Sequence, residues 1–97
     1  MNLPQQFQVI YDEAIRGKHI LFPSAVIPEL QCRCPKETSL AHIEAVEVIT
    51  DLIKCPDIPT MINLIKKLSV DVMRVIFHTY LHFVDSWSYK LKTEILN

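Results

Sequence analysis

Ninety-seven residues leave room for one hydrophobic core, since single domains run to roughly 100 to 150 residues, so the chain is read as one domain over 1–97. A hydrophobic share of 49% against 22% charged residues excludes wholesale disorder, and a net charge of −1 provides no field suited to nonspecific binding of nucleic acid or anionic membrane. One glycine against six prolines excludes a phosphate-cradling loop, a dinucleotide fingerprint and a protein built from tight hairpins.

The apolar residues first become periodic between about Pro4 and Arg16. Leu3, Phe7, Ile10, Tyr11, Ala14 and Ile15 share one arc of a helical wheel there. Pro4 suits the first turn, where its missing N–H costs nothing, and Gly17 suits a left-handed stop. Residues 18–37 follow with Pro23, Pro28 and Pro35, too closely spaced for a long helix, yet with too many large apolar residues for a solvated linker. This composition predicts a proline-rich extended arm packed on the helices, with a short strand at His19 to Phe22 or one helical turn near Ser24 to Leu30 as local variants.

A second helix is predicted from Thr38 or Ser39 to about Lys54, ahead of Pro56. Ala41, Ala45, Val46, Val48, Ile49, Leu52 and Ile53 make its apolar arc close to half the wheel, which calls for neighbours on two sides. Asp57 caps a short third helix with Pro59 in its first turn and Lys66 and Lys67 at its end. Ser69 caps a fourth that meets no Pro or Gly from Val70 to about Lys92, with a buried arc of Val70, Met73, Ile76, Phe77, Tyr80, Leu81, Val84, Trp87 and Leu91. Fusion of the third and fourth is the alternative. The expected fold is therefore all-α, a small bundle of about four helices with the long C-terminal one at its centre.

Chemistry is sparse along this chain. His78 and His82 lie one turn apart on one helical face, and with Cys32 and Cys34 they would make a tetrahedral structural zinc set if the arm folded back on the long helix. The other reading of both histidines is a solvated polar face. The only thiol and imidazole arrangement worth naming pairs Cys34 or Cys55 with His42, which falls in an apolar arc where a histidine is more often a core residue, so no enzyme is expected. The string Glu29-Leu30-Gln31-Cys32-Arg33-Cys34 resembles the cysteine motif that opens a chemokine, over six residues only; the two further cysteines and the sheet that family requires have no counterpart here. The short helix, Ser69 turn and long helix share the outline of a helix-turn-helix, with Lys66, Lys67 and Arg74 as its phosphate contacts, but the long helix is poor in base-reading side chains.

Three cysteines cannot all pair within one chain, no run of about 20 apolar residues spans a membrane, and Met1-Asn2-Leu3-Pro4 lacks a secretory pattern. The expected setting is intracellular, cytoplasm or nucleus, without a membrane partner.

Apolar surface is the main functional signal. A chain of this size buries only about 60 to 65% of what its unfolded form exposes, so part of the wide arcs should remain outside the core. The function expected is non-enzymatic: an interaction or adaptor domain of regulatory type that contacts another protein or itself, as a homodimer or through a helix in a groove. Phe77, Tyr80, Phe83, Trp87 and Tyr89 are its candidate anchors. The alternatives are a small domain stapled by zinc and a nucleic-acid-binding regulator; no cofactor is otherwise expected.

Overall fold

Five helices run through residues 4–96, the part of the chain that the computed structural model describes: α1 (Gln5–Ile15), α2 (Ile27–Leu30), α3 (Leu40–Lys54), α4 (Ile58–Lys66) and α5 (Val70–Leu96). No strand occurs among the described residues.

Local chemistry sets the helix ends. The Pro4 carbonyl accepts from the N–H of Phe7 at 3.0 Å and opens α1. Gly17, at φ 86°, closes it: its N–H reaches the Ala14 carbonyl and the N–H of Lys18 reaches that of Glu13, each at 2.9 Å, the paired bonds of a Schellman stop. The Ser39 hydroxyl accepts from the N–H of His42 at 3.2 Å, and the Ser69 hydroxyl accepts from Val72 at 3.3 Å. Asp57 accepts from the N–H of Thr60 at 2.8 Å, and hydrogen bonding from Thr60 holds its carboxyl below the usual range. Ser39→Ala is expected to lower stability by about 1 kcal/mol, checked by urea unfolding; an unchanged midpoint would show that water replaces the cap at no cost.

The helix count rises by one because the 18–37 segment includes α2, within the stretch Ser24 to Leu30 where a single helical turn is one of the expected variants. Successive turns bring the N–H of Phe22 to the His19 carbonyl at 3.2 Å and that of Val26 to Pro23 at 3.0 Å, and the chain then winds into α2. Pro28 does not prevent this helix, because it occupies the first turn, where no N–H is needed. The third and fourth predicted helices remain separate as α4 and α5.

At 27 residues α5 is about 40 Å long, matching the 43 Å long axis of the molecule, and α1, α2 and α3 pack on it. The core is one continuous cluster drawn from all five helices and from Leu21 and Phe22. Because neighbours approach α5 from more than one side, Val72 and Val75 are buried as well as most of the predicted arc, while Val70 is partly exposed. The 19–34 segment is fastened along α5 by Arg74, whose Nε donates to the Glu29 carbonyl at 3.1 Å, and by His78, whose Nε2 lies 2.8 Å from the Cys32 carbonyl.

Helix α3 shows an imbalance that matters for function. Ala45, Val48 and Leu52 are buried, but Val46 and Ile53 are each 57% exposed. Its wide apolar arc has a neighbour on one flank and solvent on the other.

Candidate functional site: an apolar cleft

Between α1 and α3, above α5, the structure leaves a cleft of about 450 Å³, within the roughly 300 to 1,000 Å³ of typical binding pockets. Ile76, Tyr80, Phe83, Trp87 and Lys90 of α5 line it at three- and four-residue spacing. Phe7, Ile10 and Tyr11 of α1 form one wall, and Ile49, Leu52 and Ile53 of α3 form the other. Gln6 holds the walls together near their ends, since its Nε2 donates to the carbonyl of Cys55, the residue that terminates α3, at 2.6 Å.

Four polar side chains of these walls have partners inside the protein. Thr79 Oγ1 donates to the Val75 carbonyl at 3.0 Å, and Ser86 Oγ donates to that of His82 at 3.2 Å. Tyr80 Oη lies 2.8 Å from His19 Nδ1, and the Trp87 indole N–H donates to Asp12 at 2.9 Å. Burial, with Tyr11 nearby, pushes the Tyr80 phenol up to about 12. The rest of the lining is hydrocarbon apart from the Tyr11 phenol and, among the described residues, one cation. Lys90 Nζ lies 5.8 Å from the centroid of the Trp87 ring and makes no ion pair among the described residues.

The five candidate anchors separate. Phe77 is a correction: it is completely buried, edge-on to Phe22 with ring centroids 5.0 Å apart, and presents nothing to a partner. Tyr80 is corrected in the same sense, since it lines the cleft but is only 6% exposed and is held by His19. Trp87 is half-buried in the lining, Phe83 is 49% exposed there, and Tyr89 is exposed away from it. Exposure of an aromatic depends on which flank of α5 a neighbour covers, and the spacing of rings along one helix does not reveal that. Sequence reasoning missed Ile49, Ile53 and Lys90 as cleft residues. The signal was present in the seven-residue interval from Ile76 to Phe83 to Lys90, which marks one helical line.

The zinc set does not assemble. Among the described residues no group of three or more His, Cys, Asp or Glu side chains is placed to hold a metal ion. The chain does return to α5 at Cys32, but His78 meets the backbone carbonyl there, and the Cys32 thiol is directed at the Pro28 carbonyl 3.8 Å away. Cys55 donates to the Asp51 carbonyl at 3.4 Å, and burial together with Asp51 and Asp57 pushes its thiol up, which disfavours the nucleophilic thiolate. Of the basic group, Lys66 and Lys67 are exposed at the end of α4, whereas Arg74 is engaged with Glu29 and with Asp71 at 3.1 Å.

No helix among the described residues is long and apolar enough to cross a membrane. No known protein family, curated protein or solved structure matches the chain.

Proposed function

We propose that this domain is a non-enzymatic protein-interaction module whose cleft receives an apolar segment of another protein or of a second copy. The observation that carries this reading is a cleft lined almost wholly by hydrocarbon, whose α3 wall continues outward as exposed Val46. Such a surface recognises hydrocarbon by shape and area, and contiguous exposed apolar surface of this kind marks a contact site. An adaptor or regulatory role suits a domain whose one distinctive surface is a seat for a partner.

A photocrosslinking residue at position 83, introduced in the native cell, tests the proposal. The expected result is a discrete adduct that is absent when the crosslinker stands at exposed Lys18 and is abolished by Ile53→Asp without a lower thermal midpoint. The mass of the adduct distinguishes a separate partner from a second copy. Equal labelling from both positions, or no adduct at position 83, would overturn the reading.

A further inference from the structure

We infer that the occupant of the cleft is an amphipathic helix of about four turns that carries a carboxylate where it meets Lys90; this rests on the protein-contact reading above. Three observations lead there.

The first is the form of the walls. Each is a helix face, and the α5 line from Ile76 to Lys90 covers about 21 Å, the length of a helix of about 15 residues. On α3, Val46, Ile49 and Ile53 follow at three- and four-residue intervals and form a second line for the same occupant. With α1, α3 and α5 already in place, one more helix completes a four-helix arrangement.

The second is hydrogen bonding. Thr79, Tyr80, Ser86 and Trp87 all have internal partners, so apart from the Tyr11 phenol the walls offer little to an incoming backbone. An extended segment would strip its N–H and C=O groups of water without replacement, whereas a helix satisfies its own. The cleft therefore selects by backbone state as well as by hydropathy.

The third is charge. Among the described side chains Lys90 is the one charged group in the lining, and it stands beside Trp87. A carboxylate of the occupant at that end meets Lys90 as an opposite charge. A cation there meets Lys90 as a like charge, so the pair fixes which helices are accepted and how they lie.

The test uses a synthetic peptide of about 15 residues with leucines at alternating three- and four-residue intervals, one version with a terminal Glu and one with Lys in its place. Both ends are tried. Binding is read by the emission of Trp87, the only tryptophan in the chain. The expected result is that the Glu peptide binds roughly threefold more tightly at low ionic strength, a preference lost in Lys90→Met and at about 0.5 M salt. A central proline in the peptide should weaken binding by at least about tenfold, as should Phe83→Asp in the protein.

Equal binding of the proline peptide would overturn the helix assignment, and equal binding of the Glu and Lys peptides would overturn the role of Lys90, while either result leaves the protein-contact reading standing. If no peptide binds and dodecanoate saturates the same Trp87 signal, that reading falls with the inference. A dimer in sedimentation that the peptide cannot dissociate would assign the cleft to a second copy and overturn the inference alone.

Discussion

Phe77→Ala is expected to cost about 3 to 5 kcal/mol, close to the whole stability of a domain this size, because it removes a fully buried ring from the densest aromatic contact in the molecule. Phe77 meets Phe22 at 5.0 Å, His19 at 5.7 Å and Tyr80 at 5.9 Å between ring centroids, the first two edge-on. The cost includes the transfer of the ring from the core, the cavity left behind and the loss of those pairings. Urea unfolding measures it directly, with wild type and variant compared at the same slope. Phe83→Ala is the matched control on the same helix: at 49% exposure it is expected to change stability by less than about 1 kcal/mol. A loss from Phe77→Ala no larger than that from Phe83→Ala would mean that residues 19–22 do not pack on α5 as described.

That comparison also shows where the sequence stops being readable. The ends of α1, α3 and α4 follow from Pro4, Gly17, Ser39 and Asp57, whose effects act within three residues and need no knowledge of the rest of the chain. The 18–37 segment is only partly legible, because three prolines count against helix only if they fall inside one. Pro28 falls at the start, and the turns before it are held by backbone bonds open to almost any residue.

Phe77 and Phe83 differ for another reason. Both are apolar positions on α5, six residues and therefore about 120° apart around its axis, and whether each is covered depends on a tertiary neighbour. Leu21 and Phe22 come from the segment whose path the sequence leaves open, and they join the core beside Phe77. On α3 the wide arc predicts neighbours on two sides, whereas the packed structure covers one flank and leaves Val46 and Ile53 on the other exposed. Lys90 reads as an ordinary surface lysine until Ile76 and Phe83 are seen to face the cleft on the same line.

Alkaline titration provides the second large effect, and it reports on the cleft itself. A tyrosine in an unfolded chain ionises near pH 10, whereas burial pushes Tyr80 up to about 12 in the folded state, with Tyr11 raised in the same direction by its own burial. The unfolded state therefore loses its phenolic protons first. The stabilisation is fully present below about pH 10 and is lost as the pH rises through the folded value near 12, a change on the order of 2 kcal/mol for Tyr80 alone. Urea midpoints between about pH 8 and 11.5 should fall in wild type and fall less steeply in Tyr80→Phe, where no phenol remains to ionise at that position. The residual slope in the variant comes from groups such as the Tyr11 phenol, which burial also raises. Parallel slopes would show that water reaches Tyr80 freely, and so that the cleft wall opens more than the 6% exposure of this side chain allows. Because Tyr80 lines the cleft, an apolar occupant would deepen its burial and move its ionisation further upward, so the same titration repeated with the Glu peptide bound tells whether the occupant lies against this wall.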